Sequence, residues 1–136
     1  MSALGELIGQ FLAGLFGRKE LAARGRGHVA ARIAEFEAGD EPILSAALLS
    51  DGLWLEGRVR VARYRLVWWV PGSPGSLVFS RRDGVVESLG DVDGGNAETV
   101  DPNLVVLRYR SGGEVHHLAV PPEDLNLIGR VLPLPG

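Results

Sequence analysis

His116 and His117 are adjacent, and with His28 they are the only three histidines in the chain. Neighbours on a strand point to opposite faces, so the pair cannot share a metal ion or act as one acid–base couple. The expectation is one exposed imidazole and one packed one. His28 lies in a basic, glycine-broken stretch with no carboxylate close by in sequence. The serines at 45, 50, 73, 76, 80, 88 and 111 fall mainly in or beside turns, and none lies in a G-x-S-x-G elbow. The absence of cysteine removes thiolate nucleophiles, disulfides and cysteine metal sites. There is no glycine-rich phosphate loop with a following lysine. Asp91-Val92-Asp93-Gly94-Gly95-Asn96-Ala97-Glu98 alternates oxygen ligands around a glycine turn, as calcium loops do, but it lacks the twelve-residue spacing and the closing bidentate Glu. It reads as a flexible acidic surface loop. No catalytic residue, metal or cofactor is assigned, and the chain reads as a binding module rather than an enzyme.

Arginine is the other chemistry-bearing residue type. Arg58, Arg60, Arg63 and Arg65 cluster within eight positions. Guanidinium groups bind phosphate oxygens in pairs, so Arg58, Arg60 and Arg63 are the candidate anion-binding residues. The competing reading is a solvated outer sheet face, with cross-strand ion pairs to Glu56, Glu87 and Glu114. Nucleic acid is disfavoured, because the net charge is −3 and no aromatic residues interleave with the basic ones on one face.

The elements that position these residues fall into two parts. Residues 1–40 read as an amphipathic helix, a basic linker and a second helix. Leu4, Leu7, Ile8, Phe11, Leu12, Leu15 and Phe16 follow the i, i+3, i+4, i+7 spacing of one helical face. The opposite face holds Gly5, Gly9, Ala13, Gly14 and Gly17, and glycine costs about 1 kcal/mol against alanine in a helix. Such a helix needs a surface to pack on. Arg18 and Lys19, then Arg24 and Arg26, make the following stretch cationic. The apolar row is shorter than the roughly 20 residues of a spanning helix, and no basic residue precedes it as in a secretory signal. The second helix is predicted over 28–38, with Val29, Ile33 and Phe36 on one side, ended by Gly39-Asp40 and Pro42.

Residues 41–136 read as a β domain. Glycine, at 19 residues, is about twice its usual share of roughly 7%, as in a body with many tight turns. Strands are predicted at 43–49, 53–61, 64–70, 76–80, 84–89, 104–110 and 115–120. Val59 and Val61 alternate with Arg58 and Arg60, and Val105, Leu107 and Tyr109 alternate with Val106, Arg108 and Arg110. Leu66-Val67-Trp68-Trp69-Val70 is apolar on both faces, which predicts a strand covered on both sides. Pro121-Pro122-Glu123-Asp124 opens a short C-terminal helix with Leu125, Ile128 and Leu132 as its buried stripe, stopped by Pro133.

The stretch Gly57-Arg58-Val59-Arg60-Val61-Ala62-Arg63-Tyr64-Arg65-Leu66-Val67-Trp68 resembles the signature of GRAM and GLUE domains, members of the pleckstrin-homology-like superfamily. In these, a glycine opens one strand and an Arg-Leu pair begins the next. The matching positions are Gly57, Val61, Arg65, Leu66 and Trp68; Ala62 departs from the family's threonine. Ser80-Arg81-Arg82-Asp83-Gly84-Val85-Val86-Glu87 also resembles part of a small actinobacterial membrane-tethered family of unknown function. The resemblance covers roughly residues 43–132. It implies a mostly β, α+β fold: a seven-stranded pleckstrin-homology-like barrel with a C-terminal helix, here preceded by N-terminal amphipathic helices. It also implies that basic residues of the first hairpin hold phosphoinositide headgroups in some members.

The N-terminal helix carries the functional expectation. Its apolar face, Leu4 through Phe16, and the charges of Arg18 and Lys19 suit an anionic membrane interface, a groove on a protein partner or copies of itself, or an open end of the chain's own barrel that it would cap. The chain is therefore expected to be a cytoplasmic adaptor, peripheral to a membrane in one version, that docks through this helix. A structural homo-oligomer subunit is the alternative.

Overall fold

A computed structural model describes residues 29–135. Helix α1 covers 29–37 and is followed by seven antiparallel strands. These are β1 (Ile43–Ser50), β2 (Leu53–Val61), β3 (Leu66–Trp69), β4 (Leu77–Phe79), β5 (Val85–Asp91), β6 (Val105–Ser111) and β7 (Glu114–Val120). A 3-10 turn at Pro122–Asp124 leads into helix α2 (Leu125–Gly129). The strands form one curled half-barrel sheet in the order β4-β3-β2-β1-β7-β6-β5. This agrees with the mostly β expectation and with a short C-terminal helix. The predicted first helix, residues 4–16, and the basic residues Arg18 and Lys19 lie outside the described residues.

The alternation seen in the sequence sets the register. Val59 and Val61 face inward and are fully buried, with Val59 opposite both Leu44 of β1 and Trp68 of β3. The concave face collects Leu44, Leu48, Leu66, Trp68, Phe79, Leu107, Tyr109 and Leu118 into the main core. Each fully buried side chain of this size contributes about 1.5–3 kcal/mol. Ile33 and Phe36 of α1 pack on the same core, as do Leu127, Ile128, Val131 and Leu132. The C-terminal stripe thus includes Leu127 and Val131 besides the expected Ile128 and Leu132, and Leu125 is only half-buried.

The two halves of the sheet join where β1 meets β7, through only two residue pairs, Ala47 with Ala119 and Leu48 with Leu118. One pair is alanine on alanine and faces the second small core, and the other is leucine on leucine and faces the main one. Gly57 meets a steric need in β2. A Cβ there would stand 2.5 Å from the Trp69 carbonyl oxygen and 2.9 Å from the Trp68 ring, so only glycine lets that indole lie across the strand.

Two expectations are corrected. The run 66–70 is not buried on both faces: Leu66 and Trp68 are core, while Val67, Trp69 and Val70 are half-buried. The outer ring of Trp69 is covered by the Arg60 guanidinium, 5.1 Å from the ring centroid, in place of a second layer. The acidic stretch 91–98 is not loose, and the residues that follow it are tied down with it. Val92, Ala97, Val100 and Leu104 fold over the outer face of the sheet and make a second small core with Ala47, Trp54, Val106 and Ala119. Asn96 locks it down: its Oδ1 accepts the Trp54 backbone N–H at 2.6 Å, and its Nδ2 donates to the Trp54 carbonyl at 3.2 Å. The Trp54 indole N–H donates to the Asp93 carbonyl at 3.2 Å.

Candidate functional site

The histidines lie on opposite faces of β7, as the strand period requires. His116 sits edge-on to Phe79 at the rim of the core, 6.0 Å between ring centroids, with its Nε2 3.4 Å from Glu114. Both imidazoles are half-buried, so neither is the exposed member of the expected pair. Among the described residues no group of three or more His, Asp or Glu side chains could hold a metal ion. The acidic stretch 91–98 directs Asn96 and the Asp93 carbonyl to Trp54, which uses part of the oxygen set a calcium loop would need.

The candidate arginines separate into two environments. Arg58 and Arg60 project from the outer face of β2, opposite Trp69 and Val67 in register. Arg60 lies over Trp69 and 3.8 Å from Glu41. Arg58 lines an outer groove of about 690 Å³ with Glu56, Leu104 and Pro121. Arg63 instead sits at the tip of the β2–β3 turn, which is closed by the Ala62 N–H donating to the Arg65 carbonyl at 2.9 Å. There it lines a separate cavity of about 250 Å³ with Phe36, Tyr64, Arg81, Arg130 and Val131.

The expected ion pairs are reassigned as well. Glu87 pairs with Arg108 at 3.1 Å and with Arg110. These two, the Arg110 hydrogen bond above all, hold its carboxyl below the usual range against the opposing effect of desolvation. The reason is a bulge in β5. Val86 pairs with Tyr109 and Ser88 with Arg108, so Glu87 is the extra residue and reaches both flanking arginines. Glu114 meets His116 rather than the arginines of β2.

Among the described residues, the charge pair at the core is Arg32 with Asp124. Arg32 of α1 donates to Asp124 Oδ1 from Nη2 at 2.6 Å and from Nε at 3.2 Å. Burial pushes the Asp124 carboxyl above its ordinary value, and the Arg32 guanidinium pulls it partly back. Sequence reading missed this pair because its members lie 92 residues apart. No helix among the described residues is long and apolar enough to cross a membrane. No protein-family model matches the chain, and no curated protein matches it.

Proposed function

We propose that the chain is a non-catalytic, pleckstrin-homology-like adaptor of the cytoplasm. It docks to a protein assembly or a membrane surface through the N-terminal amphipathic stretch. The observation that carries this reading is how the half-barrel is covered. Ile33 and Phe36 of α1, with Leu127, Ile128, Val131 and Leu132, pack on the main core, and no buried side-chain polar atom among the described residues lacks a partner. The apolar row Leu4, Leu7, Ile8, Phe11, Leu12, Leu15 and Phe16 precedes these elements in the sequence. Its chemistry suits an outside surface, with Arg18 and Lys19 beside it for anionic contacts. The superfamily reading draws support from the strand order, a four-stranded and a three-stranded meander followed by a helix, and from the fit of Trp68 over Gly57.

A truncation starting at His28 tests the proposal. The full chain should sediment with phosphatidylglycerol vesicles in a salt-sensitive way, or elute with a partner-bearing assembly. The truncated chain should stay folded, monomeric and free of vesicles. Full-length oligomers formed without lipid or partner would replace the adaptor with a structural subunit. Identical behaviour of the two chains in both assays would remove the reading.

A further inference from the structure

Three arginines from three separate elements line the 250 Å³ cavity: Arg63 from the β2–β3 turn, Arg81 from the β4–β5 turn and Arg130 from the end of α2. We propose that this cavity binds a phosphate monoester, carried either by a small soluble compound or by a lipid headgroup.

The charge state of the lining supports an anion. Arg130 shares its charge with Glu37 of α1 at 3.3 Å. Arg63 lies 5.7 Å from the Tyr64 ring centroid and has no carboxylate partner among the described residues. Arg81 likewise has no carboxylate partner among them. Two guanidiniums are therefore left without a carboxylate partner among the described residues. A phosphate monoester carries close to two negative charges at neutral pH, and its oxygens suit the guanidinium fork.

The mounting is rigid, which lowers the entropic cost of binding. The Tyr109 hydroxyl donates to the Ser80 carbonyl at 2.7 Å and accepts the Ser80 N–H at 3.2 Å, fixing the turn from within the core. Ser80 Oγ donates to Asp83 at 2.9 Å, and Ser111 Oγ donates to the Asp83 carbonyl at 2.9 Å. Gly84 leaves the space Tyr109 occupies, since a Cβ there would stand 2.6 Å from the hydroxyl oxygen. Arg81 is thus presented by a turn that is tied on both sides.

Size selects a small ligand. The cavity, about 250 Å³, is smaller than the ~300 Å³ at which drug-sized sites begin. That accommodates a phosphate with a few carbons against Phe36, Tyr64 and Val131, whereas a nucleic-acid backbone requires an extended basic track.

The test uses the full chain and glycerol 3-phosphate, followed through the arginine Nε–H signals in NMR spectra. Arg63, Arg81 and Arg130 should shift together and saturate. Arg81→Gln and Arg63→Gln, on different turns, should each weaken binding about tenfold. Arg82→Gln, beside Arg81 but not lining the cavity, should change it less than about twofold. Vesicles containing phosphatidic acid separate the sources. Binding lost in Arg81→Gln and displaced by glycerol 3-phosphate identifies a lipid headgroup, and soluble binding with no preference for these vesicles identifies a free ester. Absence of shifts at the three arginines up to roughly 50 mM ligand overturns the proposal, as does an equal loss in Arg82→Gln, which would mean diffuse charge attraction. Removing residues 1–27 should leave the shifts intact, so failure of the adaptor reading and failure of this one are separable.

Discussion

Replacing Arg32 by methionine should be among the most damaging single changes to the described body, and its damage should depend on pH. The Asp124 side chain is 3% exposed, and both hydrogen bonds to its carboxylate from other side chains come from Arg32. Removing one partner of a buried pair costs about 3–5 kcal/mol, because the remaining charge has no compensation. Arg32 is itself 19% exposed, so water can enter, and the expected cost lies near the lower bound, about 3 kcal/mol. For a chain of this size that lowers Tm by roughly 10 °C. The sign of the pH dependence follows from the direction of the shift. Burial already raises the folded-state value of Asp124, so the folded protein takes up this proton at higher pH than the unfolded chain. The contribution of Asp124 therefore falls as pH rises from about 4 through its raised folded value. Without Arg32 that value climbs further. The deficit of Arg32→Met should then be largest at neutral and higher pH and should shrink as pH falls below about 4, where the carboxyl becomes neutral in both states. Urea denaturation at several pH values measures this, and adding Asp124→Leu should restore most of the loss. A deficit below about 0.5 kcal/mol at pH 7, or one that grows on acidification, would refute the reasoning.

Gly57→Ala should cost about 2–3 kcal/mol, because the new methyl meets a backbone carbonyl and the Trp68 ring; a change below about 1 kcal/mol in denaturant titration would show that β2 and β3 can separate freely. Asn96→Ala should cost about 2 kcal/mol and expose the Trp54 amide to rapid hydrogen exchange, since that N–H loses its acceptor. Unchanged protection at Trp54 would mean that the second core holds the segment without the amide clamp.

Strands were legible in the sequence where one face is apolar and the other charged. Val59 and Val61 against Arg58 and Arg60 fix both the strand and its register, because a slip of one residue would bury the arginines. The segment 91–103 was not legible, because its anchors have no period. Val92, Ala97, Val100 and Leu104 reach the sheet from an irregular backbone, and Asn96 acts as a surrogate strand through its side-chain amide. The available signal was that three apolar residues, Val92, Ala97 and Val100, recur among the acids of what reads as a solvated loop. The run 66–70 misled for a different reason. Hydropathy treats Trp69 as needing apolar cover, whereas an indole face is also satisfied by a guanidinium. The bulge at Glu87 could not be foreseen, since one extra residue changes which arginines a glutamate reaches without altering composition.

Placement on the fold sorts the arginines better than clustering in the sequence does. Those on regular strands have neighbours fixed by register: Arg108 and Arg110 flank Glu87, and Arg60 lies between Trp69 and Glu41. A strand brings its partner within reach because the sheet sets cross-strand spacing at every position. Turn residues have no such built-in neighbour. Arg63 and Arg81 stand on two turns whose backbones are fixed from below, and their charges are left facing a shared cavity. An unpaired charge on a mobile loop is ordinary, because water serves it at little cost. On a rigid turn, converging with two others, the same charge is arranged in advance of a ligand. The site therefore belongs to residues far apart in the chain, and the dense run Arg58 to Arg65 contributes to it only through the one arginine that falls at a turn tip and lines the cavity.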